Sequence, residues 1–227
     1  MVAHLAQTRR RFPGPGASMR LEAVTFAGPA GRLEGLWKQA AGTPLGSAVF
    51  AHPHPLHGGT LHNKVVFRAA RALSSSGYGT LRFNFRGVGL SEGEHDAGAG
   101  EVGDFRAAME EARRRGGLPI VAGGFSFGSA VAVRAIEGDR RVAALVAVGL
   151  PLAVEPARLP KPSVPALFVT GERDTFGPPA LLRESVGSSG RIVIVPGADH
   201  FFEGKLGELE TTIERFLFEL PVPVARS

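Results

Sequence analysis

The chain contains no cysteine. This excludes a disulfide framework, a thiolate nucleophile and a zinc site built on cysteine, and it fits a reducing, cytoplasmic setting. Long hydrophobic runs are also missing. The longest, 118–122 and 142–148, fall far short of the roughly 20 residues that a membrane span requires. Charge is not scarce: 21% of the 227 residues are charged and 44% hydrophobic. That is the balance of an ordinary globular protein, so a mainly disordered chain is excluded. The length suits one large domain or two small ones.

What is in excess is positive charge, a net +5 dominated by arginine. The clusters Arg9–Arg11, Arg113–Arg115 and Arg140–Arg141 are short. None is interleaved with the aromatic rings that a base-stacking platform needs. They are expected to be solvated faces, with no nucleic-acid and no membrane partner. In residues 1–18 the arginines are followed by Phe12-Pro13-Gly14-Pro15-Gly16, where a signal peptide would carry an apolar stretch. The expected organisation is a flexible tail over 1–18, a single domain over 19–222 and a C-terminal tail over 223–227. Nothing in the pattern chooses between a monomer and a homodimer.

Short β-rich runs alternate with amphipathic stretches. Strands are expected at 20–26, 33–39, 46–52, 80–85, 118–123, 142–148, 165–170 and 191–195. Helices are expected at 62–76, 101–115, 127–137, 178–186 and 205–219. Val65, Val66, Ala69, Ala72 and Leu73 recur at helical spacing, as do Leu206, Leu209, Ile213, Phe216, Leu217 and Leu220, just before Pro221. The first strands lack intervening helices and suit an antiparallel edge. From 46 onward the order is β-α repeated, which predicts an α/β fold: a mostly parallel sheet of about eight strands with helices on both faces. Between the strands at 142–148 and 165–170 there is room for a loop or one helical turn, and none for a cap domain.

Gly-x-Ser-x-Gly occurs twice, around Ser91 and around Ser126. A nucleophile elbow needs a strand entering and a helix leaving. Ser126 has Leu118–Gly123 before it and Ser129–Ile136 after it, whereas Ser91 runs into Glu92-Gly93-Glu94-His95-Asp96, a loop. Ser126 is therefore the candidate nucleophile and Ser91 a turn residue. The flanking glycines are expected where strand and helix must approach closely, and the helix would aim N–H groups and the positive end of its dipole at the reacting centre.

A serine hydroxyl needs a base. His200, the one histidine after Ser126, stands just past the strand ending at Val195, where this architecture places its sites. For the carboxylate that orients it, Asp174 is favoured, with Glu172 second. Asp199 also competes, but sequence neighbours rarely form a clean carboxylate–imidazole bond. An oxyanion needs two N–H donors. Phe127, the residue after the nucleophile, supplies one. The loop His52-Pro53-His54-Pro55-Leu56-His57-Gly58-Gly59 supplies the other, and since proline has no N–H, His54 is the first donor available, with Leu56 the alternative. His52, His54, His57 and His62 also raise the question of a metal, but no local carboxylate or cysteine joins them. Structural and loop roles are expected, with no metal and no cofactor. Gly98-x-Gly100-x-x-Gly103 follows a loop and not a strand, which argues against a dinucleotide site. Arg86 is expected to pair with Asp104 or Glu101 and pin its loop to the next helix.

Taken together, these segments resemble the α/β-hydrolase superfamily. The nearest resemblance is to small lidless bacterial hydrolases with a His-Pro-His-Pro-x-x-Gly-Gly loop (His52–Gly59), Asn-Lys-Val-Val (Asn63–Val66), Arg-Phe-Asn-Phe-Arg-Gly-Val-Gly-x-Ser (Arg82–Ser91), Gly-Phe-Ser-Phe-Gly (Gly124–Gly128) and a late Asp-His-Phe-Phe segment (Asp199–Phe202). The match runs from about residue 20 to 219. It implies a hydrolase or carboxylesterase acting on small esters. The related dienelactone hydrolases are similar in architecture but use cysteine where this chain has Ser126. The expected activity is serine-dependent cleavage of small, short-chain carboxylic esters through an acyl-enzyme. Thioester cleavage or acyl transfer by the same residues is the alternative, and a non-catalytic ligand-binding protein is a more distant one.

Overall fold

A computed structural model describes residues 21–154 and 159–220. The tails expected over 1–18 and 223–227 lie outside the described residues. Eight strands form one sheet in the order β1-β2-β4-β3-β5-β6-β7-β8. β1 (Leu21–Gly28) and β2 (Gly31–Lys38) form an antiparallel hairpin, and β2 also runs antiparallel to β4 (Tyr78–Phe83). β3 (Gly46–Ala51), β4, β5 (Ile120–Phe125), β6 (Val142–Val148), β7 (Ala166–Gly171) and β8 (Arg191–Val195) are parallel. The helices are α1 (Lys64–Ser75), α2 (Ala99–Gly116), α3 (Phe127–Ala135), α4 (Pro179–Val186) and α5 (Leu206–Glu219). The expected antiparallel edge, parallel centre and five helices are all present.

The inner strands are apolar on both faces because helices cover both sides. Along β3, Ala48 and Phe50 face the α1/α5 layer, and Val49 and Ala51 face the α2/α3 layer. α1 buries Val65, Val66, Ala69, Ala72 and Leu73, the stripe that its spacing predicts. Its first turn is capped by Asn63, whose Oδ1 accepts the Val65 N–H at 2.9 Å.

Most element boundaries shift from expectation by one or two residues, and two of these shifts turn on glycines near the site. β5 extends past Gly123 and Gly124 to Phe125 and does not stop at 123. These glycines mark close backbone approach, as expected of residues flanking the turn. A Cβ on Gly124 would lie 2.3 Å from the backbone of Gly128, and one on Gly123 2.6 Å from the Val146 carbonyl. Likewise α2 begins at Ala99, two residues early, because Gly98 adopts φ 95° as its N-cap and Glu101 folds back onto the Gly98 N–H.

The parallel strands β3, β5, β7 and β8 lead into the segments that carry His54, Ser126, Asp174 and His200. The candidate residues therefore gather at the carboxyl end of the sheet, where open α/β sheets bind their ligands.

Candidate active site

Ser126 occupies the turn between β5 and α3 with φ 53° and ψ −123°, a region that side-chain-bearing residues rarely adopt. The surroundings hold it there. Its N–H donates to the Val148 carbonyl at 2.9 Å, and its carbonyl accepts from the Ser129 N–H at 2.8 Å and the Ser129 hydroxyl at 2.6 Å. The turn closes only because glycines flank it. A Cβ on Gly128 would approach the His52 carbonyl to 2.4 Å. The Ser126 side chain is left at the floor of a cavity of about 540 Å³.

His200, delivered by the turn after β8, brings Nε2 to 3.0 Å from Ser126 Oγ. Its Nδ1 lies 2.9 Å from both carboxylate oxygens of Asp174. A carboxylate only accepts, so Nδ1 carries the proton and Nε2 is left to accept from the serine hydroxyl. The imidazole is flanked by Phe176, Phe125 and Phe201, with ring centroids 4.6, 5.0 and 5.2 Å away. Gly149 leaves room for it, since a Cβ there would lie 3.0 Å from His200 Cε1.

Asp174 is 3% exposed. Burial alone would push its carboxyl up. The His200 hydrogen bond and charge, with the N–H groups of Gly177 and Phe176 donating to Oδ1 at 2.8 and 2.9 Å, outweigh that and hold it below the usual carboxylate range. A residue that the sequence reading passed over supports it from behind. The Thr170 hydroxyl, at the end of β7, donates to the Gly177 carbonyl at 2.7 Å and stands 3.1 Å from Asp174 Oδ2. A polar side chain closing an otherwise apolar parallel strand was the signal available.

The two rival carboxylates are engaged elsewhere. Glu172 accepts the Gly197 N–H at 2.8 Å, and Asp199 accepts the N–H groups of Phe201 and Glu203, each at 3.0 Å. Both bind the His200 turn together without facing its ring.

In the loop after β3, most backbone donors are already committed. Leu56 N–H donates to His54 Nδ1 at 3.2 Å, and the N–H groups of His57 and Gly59 donate to the His54 carbonyl. The Leu56 N–H is thus engaged within its own loop. The His54 N–H has no acceptor among the described residues, and the Phe127 N–H, at the first position of α3, is one that a helix leaves unsatisfied. His54 and Phe127 both line the cavity with Ser126 and His200.

His52 is a core residue. The Phe85 N–H donates to Nε2 at 3.1 Å, and Nδ1 donates to the Pro53 carbonyl at 2.6 Å. Both ring nitrogens are therefore used, and burial pushes its pKa down to about 4. Among the described residues, no group of three or more acidic or imidazole side chains is placed to hold a metal ion, and no helix is long and apolar enough to cross a membrane. Ser91 is a turn residue, donating to the Asn84 carbonyl at 2.8 Å. Arg86 pairs with Asp104 through Nη2–Oδ1 at 2.7 Å and Nε–Oδ2 at 2.9 Å.

Residues 47–216 match the family model described as an alpha/beta hydrolase domain. The chain belongs to that family. Among solved structures, this hydrolase-family chain is similar to an alpha-beta serine hydrolase homologue from Coxiella burnetii (38% identity, 86% of this chain and 96% of that one, TM-score 0.79). It is also similar to a serine hydrolase from Xanthomonas campestris described as lacking a lid (30% identity, 94% and 100% covered, TM-score 0.82). An uncharacterized protein of Rickettsia prowazekii is 31% identical, covering 87% of this chain and 89% of its own.

Proposed function

We propose that this α/β hydrolase is a serine esterase that cleaves small carboxylic esters through an acyl-enzyme. The observation that carries the reading is the continuous hydrogen-bonded chain Ser126–His200–Asp174, 3.0 and 2.9 Å between heavy atoms. In this reading Ser126 Oγ attacks the acyl carbon while His200 Nε2 takes its proton. Asp174 holds the ring in the required tautomer and stabilises the imidazolium. The N–H groups of Phe127 and His54 receive the negative charge that develops on the carbonyl oxygen. His200 then passes the proton to the leaving alkoxide, and a water activated by the same nitrogen releases the acid. The likeness to two serine hydrolases at 30% and 38% identity supports the nucleophile.

Among the described residues, the cavity lining, from Pro53 and His54 round to His200 and Phe201, includes no lysine, arginine, aspartate or glutamate. It suits an uncharged ester. Pro151, Val154, Phe176 and Phe201 supply an apolar side, which is half open to solvent, with Val154 59% and Phe201 45% exposed. A long acyl chain would remain wet there, so acyl groups of two to four carbons are expected to turn over faster than those of twelve. The reading carries with it a small-molecule substrate, no cofactor and a cytoplasmic setting.

Two measurements test it. A fluorophosphonate probe is expected to label wild-type protein and not Ser126→Ala. On nitrophenyl esters, Ser126→Ala is expected to lose kcat by roughly 10⁴-fold or more. Undiminished turnover by the variant would end the proposal.

A further inference from the structure

Beside the cavity lies a second carboxylate–imidazole pair that this chemistry does not use. Glu101, in the first turn of α2, has a fully buried side chain. One carboxylate oxygen accepts the Asp96 N–H at 2.9 Å and the other the Gly98 N–H at 2.8 Å. Burial would push its carboxyl up, but these N–H groups and His95 prevail and hold it low. His95 Nδ1 lies 2.8 Å from Glu101 Oε1, without the alignment of a hydrogen bond, so the pairing is one of proximity. Glu101 thereby gathers the loop that presents His95.

The His95 ring does not enter the cavity lining. It packs 5.0 Å from the His54 ring and 5.6 Å from the Phe127 ring, and those two rings are themselves 5.0 Å apart. The same loop also touches Phe127 at Gly98, where a Cβ would stand 3.6 Å from its ring. His54 and Phe127 are the two residues whose N–H groups are assigned to the oxyanion. They sit on separate segments, and His54 reaches the site from a loop beyond the end of β3.

We infer that His95, held in place by Glu101, is a positioning residue whose ring wedges against His54 and Phe127 and sets the spacing of the two oxyanion donors. The inference rests on the serine-esterase reading. An oxyanion hole acts through donors placed before charge develops, and a displacement of about 1 Å can cost as much as about 10²-fold in rate. A donor spacing that loosens by less should lower kcat and leave ground-state binding alone.

The test is steady-state kinetics on a short-chain nitrophenyl ester, with rates normalised to Ser126 labelled by a fluorophosphonate so that misfolded protein is not counted. His95→Ala is expected to lower kcat about tenfold with KM unchanged within about twofold, and His95→Phe, which restores a ring, to recover kcat to within about threefold of wild type. His95→Leu, which keeps apolar bulk, is expected to fall in the same direction and serves if the alanine variant does not fold. An unchanged kcat in both truncated variants, a loss confined to KM, or a phenylalanine variant as slow as the alanine one would overturn the inference while leaving the esterase reading intact. Wild-type protein that neither turns over esters nor takes the label would overturn both.

Discussion

At the scale of single residues, the three carboxylates near His200 differ in what they touch, and that difference can be measured. Asp174 faces the imidazole; Glu172 and Asp199 hold backbone. Asp174→Asn is expected to lower kcat by about 10³–10⁴-fold, since an amide does not fix the ring tautomer that a carboxylate fixes. Glu172→Gln keeps an acceptor for the Gly197 N–H and is expected to stay within about threefold of wild type, because a surface-side change of this kind costs little. The same kinetic assay separates the two. His52 carries a second residue-scale prediction. Its pKa falls from the usual 6.5 to about 4 in the folded protein, so the unfolded chain binds the proton first. The stability that this group contributes is complete above about pH 6.5 and lost as pH falls through about 4, a change of about 3 kcal/mol. His52→Asn is expected to flatten this dependence. Urea midpoints of both proteins between neutral and acidic pH would reveal it, and parallel curves would refute it.

At the scale of elements, the elbow is a packing solution before it is a chemical one. β5 enters, α3 leaves, and the two come so close that Gly124 and Gly128 have backbone where a Cβ would go. Gly124→Ala must push α3 away from the strand. It is expected to destabilise the fold by about 2–3 kcal/mol, at the upper end of overpacking costs, and to reduce turnover per folded molecule by tilting Ser126. Denaturant midpoints with labelled-site kinetics would show both effects. β5 was legible as a strand from its apolar run, yet its last two residues, Gly124 and Phe125, were not, because Gly124 carries no side chain to signal burial. The start of α2 was hidden for the same reason, in Gly98-Ala99-Gly100. By contrast α5 was readable to within a residue, since an amphipathic stripe reports directly on which face is buried.

At the scale of the whole molecule, much of the positive charge among the described residues is paired. Arg113 pairs with Glu110, Arg114 and Arg115 with Glu111, Arg115 also with Glu22, and Arg141 with Asp139 and Glu110. Among the described residues, the cluster Arg113–Arg115 and Arg141 are neutralised locally in space. Association with duplex DNA at an ionic strength of about 0.15 M is therefore expected to be no tighter than weak non-specific binding, with Kd around 10⁻⁴ M or above. A fluorescence-polarisation titration with a labelled duplex checks this, and micromolar binding would contradict it.

Periodicity, breakers and short motifs are local properties, so the order of strands and helices, the elbow at Ser126 and the candidacy of His200 and His54 could be read along the chain. What lay beyond that reading were choices among groups distant in sequence. Asp174 was already favoured along the chain, but that it, and not Glu172 or Asp199, reaches the His200 ring depends on the direction each side chain takes from its turn. Thr170 joined the site because β7 ends beside that turn. His54, Phe127 and His95 became neighbours only when β3, β5 and the Glu101-anchored loop converged at one end of the sheet. Such selections depend on distances of a few ångströms between separate segments, and no one-dimensional pattern encodes them.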